Sequence, residues 1–203
     1  PVEEVDLLLI AVKANQLAAA IDDIRPFVSE RTLVLSLLNG ITSERILAEQ
    51  LKKSIFLAGF TIKTDGQRQG QVISFTPGGK IVFGHQTEET RRAAERAAAI
   101  LEIARIPFER VDNIQFRQWW KFMTNVGINQ TQALLRVPYA YFAQQHARSI
   151  AQLAMEEVLL IANQLTIPLQ QSHIADIFAL VNTFTPANKT SMLQDIEAQR
   201  LTE

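Results

Sequence analysis

Asp6-Leu-Leu-Leu-Ile-Ala-Val12 is an apolar run with the length of one β-strand, and it is typical of a strand buried on both faces. Apolar residues at helical spacing follow it, and Asn15 is a suitable cap for that helix. A second run, Thr32-Leu-Val-Leu-Ser-Leu-Leu38, precedes a short helix that begins at residue 42 or 43 and continues through Leu51. Two strand–helix units in succession predict a parallel α/β sheet.

The rest of the chain changes from mixed to helical character. Turn residues, Asp65-Gly66 among them, separate short strands that we predict over 55–63, 71–76, 80–83 and 107–111, with a charged helix over 88–104. From residue 113 onward the pattern is helical, with helices predicted near 113–135, 145–166 and 171–183 and from 190. The sequence therefore predicts an α/β domain over 1–112, an all-α domain over 113–203 and a ligand cleft between them.

The composition excludes several classes of protein. The 203-residue chain has no Cys, which excludes a disulfide, a thiolate metal site and a Cys nucleophile. Its 20 Lys and Arg against 21 Asp and Glu give no electrostatic reason to expect nucleic acid or an anionic membrane as a partner. His85, His146 and His173 are isolated, so we expect no metal site. No apolar run is long enough to span a bilayer and no signal peptide is visible, so we expect a cytoplasmic protein.

Three polar residues recur every fourth position in one apolar helix. Lys121, Asn125 and Asn129, here called the polar stripe, therefore share one face of that helix. If packed elements flank the stripe, its amides need partners and burial lowers the pKa of Lys121, which makes Lys121 a candidate general acid toward a carbonyl oxygen. If the stripe faces water, the three side chains are simply solvated. The spacing alone favours neither interpretation.

Two further candidates follow the predicted strands. Lys13 comes after the first strand and Asn39 after the second, and the carboxyl ends of parallel strands are where α/β proteins bind ligands. The structural alternative is that Asn39 and Gly40 form a favoured turn and that Lys13 is solvated. Near the C-terminus, Thr190 or Ser191 is a suitable cap for a last amphipathic helix.

Four stretches together resemble the ketopantoate reductase (2-dehydropantoate 2-reductase) family. They are Val12-Lys-Ala-Asn-Gln16, Leu38-Asn-Gly40, Trp120-Lys-Phe-Met-Thr-Asn-Val-Gly-Ile-Asn129 and Thr190-Ser-Met-Leu-Gln-Asp-Ile196 with Thr202-Glu203. They occur in the order of the family and roughly at its separations. The resemblance implies a Rossmann-like domain followed by an all-α helical domain. It also implies an enzyme that uses NADPH to reduce ketopantoate to pantoate, a step in pantothenate and coenzyme A synthesis.

The resemblance also implies a role for individual residues. Lys121 would be the general acid that protonates the developing alkoxide, and Glu203 would bind the substrate hydroxyl and position Lys121. Six further residues would bind the substrate and the cofactor. The substrate would be bound by Asn125, Asn129, Asn188 and Ser191, and the nicotinamide cofactor by Lys13 and Asn39. A reductase of this kind needs one proton donor, hydrogen-bond donors for a carboxylate and a dry pocket.

The chain departs from the family pattern at both ends. The family begins with a strand and a G-x-G-x-x-G turn that receives the cofactor pyrophosphate, and none of the 8 Gly residues here has that arrangement. The family also continues beyond the residue that matches Glu203. We therefore expect an incomplete two-domain reductase, which on its own binds NADPH poorly and is inactive.

Three alternatives stay open. Val137-Pro-Tyr139 stands where members of the family often carry an Asn, so the substrate of the reductase could be another 2-oxo acid. If the 203 residues are a whole gene product, the chain would be a cofactor-free module for binding or dimerisation. A homodimer also stays open, because Trp119 and Trp120 could be buried either internally or at an interface.

Overall fold

The two apolar runs of the first half form neighbouring parallel strands, β1 (Leu7–Ile10) and β2 (Leu33–Ser36), as predicted. The computed structural model describes residues 5–52, 54–62, 64, 67–69, 71–75 and 78–203, and the predicted turn at Asp65-Gly66 lies outside them. Five more strands follow among these described residues: β3 (Ile55–Ile62), β4 (Gln67–Gln69), β5 (Val72–Ser74), β6 (Lys80–Gly84) and β7 (Phe108–Val111). The main sheet has the order β1-β2-β3-β6-β7, and β4 and β5 form a separate antiparallel pair.

The main sheet is parallel over the two predicted strand–helix units, as expected, but one antiparallel pair makes the whole sheet mixed. Strands β1, β2 and β3 run parallel and so do β6 and β7, but β6 is antiparallel to β3. The physical reason lies in the connection. Among the described residues between β3 and β6 there are the strands β4 and β5 and no helix, whereas a parallel return usually needs a crossover helix.

Helices cover both faces of this sheet. On one face, α3 (Glu88–Ile103) packs its alanines and Leu101 against the side chains of Leu33 and Leu35. On the other face, α1 (Leu17–Ile24) and α2 (Ser43–Gln50) pack around Val34. This alternation along β2 is the reason that the strand reads as apolar throughout. Asn15 does not cap α1, because it lies inside a 3₁₀ turn over Ala14–Gln16 that precedes the helix.

The second half is helical, and its longest predicted helix is divided into three parts. The predicted segment 113–135 consists of α4 (Ile114–Thr124), a π-helical turn over Asn125–Asn129 and α5 (Gln130–Leu135). Three helices follow as predicted: α6 (Gln145–Gln164), α7 (Ser172–Val181) and α8 (Ser191–Glu197). A short 3₁₀ segment, Tyr139–Ala143, lies before α6 and was not predicted.

The chain divides into two compact units, residues 1–118 and 119–203, and the division falls inside α4. Trp119 is buried and packs edge-on against Phe122, with ring centroids 5.7 Å apart, whereas Trp120 is half-buried. Among the described helices, none is long and apolar enough to cross a membrane.

Candidate functional site

The polar stripe lies where α4 passes into the π turn. Lys121 is in the last turn of α4, and Asn125 and Asn129 are the first and last residues of the π turn. All three side chains are half-buried, and Asn129 Nδ2 donates a hydrogen bond to Asn125 Oδ1 at 3.3 Å. The N–H of Gln130 donates to the carbonyl of Asn125, five residues earlier, which defines the π turn. π turns inside α-helices are rare and frequently occur at functional sites.

Gly127 explains why the backbone of the π turn lies so close to α6. A Cβ atom at this position would lie 2.4 Å from Met155 Cγ and 3.0 Å from the carbonyl oxygen of Ala151. Only glycine allows this approach. Glycine inside a helix costs about 1 kcal/mol relative to alanine, so a Gly between two Asn residues was the one local signal of an unusual turn.

Burial changes the acidity of the Lys121 ammonium group. Burial lowers the pKa of Lys121 from 10.5 to about 8, and the negative charge of Glu203 acts in the opposite direction. The carboxylate of Glu203 is therefore placed where its field reaches Lys121, although the Glu203 side chain itself is exposed. A lysine with a pKa near 8 is still mostly protonated at neutral pH and gives up its proton more readily than an ordinary lysine.

The chain before α8 is held in place by a side chain of α5, the helix that follows the π turn. The N–H of Thr190 donates to Gln132 Oε1 at 2.7 Å, and Thr190 Oγ1 accepts from the N–H of Leu193 at 3.4 Å. Thr190 is therefore the N-cap of α8. Asn188 and Ser191 lie on either side of it with exposed side chains. Gln132 was not predicted, because nothing in its local sequence shows that its partner is 58 residues away.

The chain after α8 is also fixed. Gln199 has a φ of 53°, in the left-handed region, and ends the helix. Arg200 then reaches back to Asp195: its Nε donates to Asp195 Oδ1 at 3.0 Å and its N–H donates to the Asp195 carbonyl at 2.8 Å. Asp195 is buried, so this pair orders the turn that leads into Leu201–Glu203. Asp195 and Arg200 are further residues that the sequence pattern did not single out.

Lys13 and Asn39 follow the carboxyl ends of two neighbouring strands of the main sheet. Strands β1 and β2 pair Ile10 with Ser36, and each candidate lies three residues beyond its member of that pair. Both side chains are half-buried. Next to Asn39, Gly40 has a φ of +99°, and among the described residues other than its chain neighbours no atom lies within 4 Å of where a Cβ would be, so the turn leaves open space beside it. Lys13 and Asn39 belong to the first unit, whereas the other candidates belong to the second.

A half-buried carboxyl group in the first unit, that of Glu44, was also not predicted. Burial raises the pKa of Glu44, and hydrogen bonds act in the opposite direction. Its Oε1 accepts from Gln118 Nε2 at 2.6 Å and its Oε2 accepts from the Ser43 hydroxyl at 3.2 Å. Ser43 also shares a 2.7 Å hydrogen bond with Ser36 at the end of β2. This polar cluster ties the start of α2 to the first part of α4.

Family comparison covers most of the chain. The family Ketopantoate reductase PanE/ApbA matches residues 1–88, and the family Ketopantoate reductase PanE/ApbA C terminal matches residues 113–203. A 2-dehydropantoate 2-reductase of Archaeoglobus fulgidus is 26% identical over 202 residues, which cover 99% of this chain and 66% of that relative. The chain thus spans 66% of the length of this relative.

Two solved structures share the fold. A dimeric ketopantoate reductase from Staphylococcus aureus is 22% identical with a TM-score of 0.83, over 98% of this chain and 66% of the other. The ternary structure of D-mandelate dehydrogenase with NADH and anilino(oxo)acetate is 26% identical with a TM-score of 0.87, over the same shares. The Rossmann-like domain followed by a helical domain is the predicted fold class, and it is confirmed.

Proposed function

Because this chain belongs to the ketopantoate reductase PanE/ApbA family, we propose that its complete protein reduces the ketone of 2-dehydropantoate to an alcohol, with NADPH as reductant. The observation that carries the proposal is Lys121. It is a half-buried lysine with a pKa of about 8, it lies beside a π turn, and it is within the field of the Glu203 carboxylate. This is the environment that a general acid needs at neutral pH.

Reduction of a ketone needs a hydride at carbon and a proton at oxygen. NADPH supplies the hydride when it is bound. Lys121 then donates a proton from Nζ to the carbonyl oxygen as negative charge develops there, so the C=O bond becomes an alcohol. Burial favours this transfer because it lowers the pKa of Lys121, while the charge of Glu203 keeps the ammonium form populated before the reaction.

In this proposal, side-chain amide and hydroxyl groups bind the substrate. Asn125 and Asn129 are adjacent and hydrogen-bonded, so one amide fixes the orientation of the other. Asn188 and Ser191 present exposed side chains on either side of the fixed residue Thr190. Amide N–H and hydroxyl groups donate to carboxylate and hydroxyl oxygens, which are the polar groups of a hydroxylated 2-oxo acid.

Residues of the first unit are suited to bind one end of the cofactor. Lys13 and Asn39 lie at the carboxyl edge of two parallel strands, the place where open α/β sheets bind ligands, and the open space beside Gly40 suits a close approach. We propose that these residues hold the nicotinamide end of NADPH. The 203 residues contain no G-x-G-x-x-G turn for the pyrophosphate, so tight cofactor binding is proposed for the complete protein alone.

A second candidate is the reduction of a 2-oxo acid with an aromatic substituent. Tyr139 packs edge-on against Phe184, with ring centroids 5.0 Å apart, and its N–H donates to the carbonyl of Asn188 at 3.2 Å. Burial raises the pKa of the Tyr139 hydroxyl, and the Tyr139 side chain is half-buried. An aromatic pair therefore adjoins one proposed substrate residue, and the D-mandelate dehydrogenase structure holds an aromatic oxo acid, anilino(oxo)acetate.

The test is cofactor oxidation by the complete protein. The assay offers NADPH or NADH together with ketopantoate, phenylglyoxylate or pyruvate, and follows the loss of reduced cofactor. We expect NADPH and ketopantoate to be the best pair. Preference for phenylglyoxylate would favour the second candidate, and preference for NADH would correct the cofactor. No oxidation with any pair would refute both candidates and favour a non-catalytic binding module.

The role of Lys121 has a matched control on the same protein. Lys121→Ala should lower kcat/KM by about 10²-fold or more, the scale expected for loss of a general acid. Lys52→Ala removes an exposed lysine and should leave kcat/KM unchanged. Equal activity of Lys121→Ala and the wild type would refute the role.

Assembly and location remain predictions. We predict a location in the cytoplasm, and we propose a homodimer, which the sequence left open, because the similar ketopantoate reductase from Staphylococcus aureus is dimeric; cell fractionation and sedimentation of the complete protein test them. Trp119 is buried and Trp120 is half-buried, so Trp120 has the larger exposed surface for an interface.

A further inference from the structure

Gln132 is a fully buried polar side chain between two groups of proposed substrate residues. It is 0% exposed and lies on α5, one turn beyond the last residue of the polar stripe. Its Oε1 accepts from the N–H of Thr190 at 2.7 Å, a short hydrogen bond between main chain and side chain. Thr190 in turn lies between Asn188 and Ser191.

Burying the side-chain amide of Gln132 is energetically unfavourable, although its oxygen is hydrogen-bonded. Its Nε2 is buried, and within the described part of the chain it has no hydrogen-bond partner. Leaving a buried donor unpaired is unfavourable, and an apolar side chain of similar length would avoid it. Packing alone therefore does not explain a glutamine here. Its contribution is the bond to Thr190, which supplies a partner for an N–H that helix α8 cannot satisfy itself.

We propose that Gln132 is a positioning residue for substrate binding: its side-chain oxygen fixes the main chain at Thr190 and so holds segment 188–191 in register with the helix of the polar stripe. This inference rests on the proposed function, because segment 188–191 carries two of the proposed substrate residues. Two main-chain hydrogen bonds also hold the chain here: the N–H of Tyr139 donates to the carbonyl of Asn188, and the N–H of Ala140 donates to the carbonyl of Pro186, just before the segment. Gln132 thus supplies a side-chain hydrogen bond from α5 to this segment.

The first test is Gln132→Met in the complete protein, with Gln130→Met, an exposed position on the same helix, as the matched control. Gln132→Met removes both the acceptor and the unpaired donor at nearly constant size. We expect the KM for the oxo acid to rise about tenfold, kcat to change less than about twofold, and the Thr190 amide to exchange hydrogen about tenfold faster. Gln130→Met should change none of these.

A second pair of variants addresses the same bond from its donor. Thr190 has a φ of −70°, which proline also adopts, so Thr190→Pro removes the N–H without opposing the backbone. Thr190→Ala keeps the N–H and loses the same capping hydroxyl. The KM of Thr190→Pro should exceed that of Thr190→Ala about tenfold, and adding Gln132→Met to Thr190→Pro should raise it no further.

The outcomes separate this inference from the proposed function. If the wild type oxidises no cofactor with any oxo acid, the proposed function fails and this inference fails with it. If the wild type is active while Gln132→Met keeps the wild-type KM and Thr190 exchange rate, the inference alone is overturned. A fall in kcat with an unchanged KM would likewise overturn it, since that pattern indicates an effect on the proton donor.

Discussion

Lys121→Met should make the protein more stable at neutral pH. The pKa of Lys121 falls from 10.5 in water to about 8 in the folded chain, and each unit corresponds to about 1.4 kcal/mol, so holding the ammonium there costs about 3 kcal/mol. The side chain is half-buried, and solvent screening reduces this figure. We therefore expect the variant to gain about 1–3 kcal/mol at about pH 7, because methionine carries no charge into the site.

The sign of the pH dependence follows from the lowered pKa. Between pH 8 and 10.5 the unfolded chain holds a proton on Lys121 that the folded chain has released, so the stability of the wild type rises with pH through this window. Lys121→Met lacks this titration. Its advantage over the wild type should therefore shrink as the pH rises and be nearly absent at about pH 10.5.

Urea unfolding of the wild type, Lys121→Met and Lys52→Met over this pH range measures the effect. Lys52 is exposed, so its variant should follow the wild type at every pH. A loss of stability in Lys121→Met at about pH 7, or a gain that is constant with pH, would refute the reasoning that burial penalises this ammonium group.

Two further outcomes follow from the same unit. In the wild type, the alkaline limb of the pH–rate profile should lie near pH 8, the pKa of Lys121. Glu203→Gln should move this limb to lower pH, because the charge of Glu203 raises the pKa of Lys121. An alkaline limb at the same pH in both proteins would contradict this. Gly127→Ala should lower the free energy of unfolding by about 1–3 kcal/mol, since its Cβ would meet Met155 Cγ at 2.4 Å. That penalty outweighs the gain of about 1 kcal/mol that alanine brings to a helix. A melting temperature higher than that of the wild type would show instead that α6 shifts to make room for the added Cβ.

The sheet was predictable where burial imposes a local pattern. Val34 and its neighbours are apolar because helices cover both faces of β2, and this produces a continuous run in the sequence. The direction of β6 was not predictable in the same way. It depends on the connection after β3, where no single residue shows whether the chain will cross over or return.

The candidate site was predictable in its side chains and less so in its geometry. The spacing of Lys121, Asn125 and Asn129 correctly indicated one helical segment with polar residues, but it did not show the π turn. That turn accompanies the approach of α6 to Gly127, a tertiary contact. Gln132 was missed for a related reason, because its partner lies far away in the sequence and leaves no local pattern.

Because of the π turn, the number of residues in this helix determines how the proposed site residues are oriented relative to one another. An α-helix advances by about 100° per residue, so a π turn is in effect a one-residue insertion that sets the angle between Lys121 and everything after Asn129. Deleting a residue from Asn125–Asn129 would restore a regular helix and rotate Gln132 and the rest of α5 by about that angle relative to Lys121. In an alignment of related chains, a gap at this point would therefore mark a different arrangement of proton donor and substrate groups, whereas a gap in a loop would change only its length.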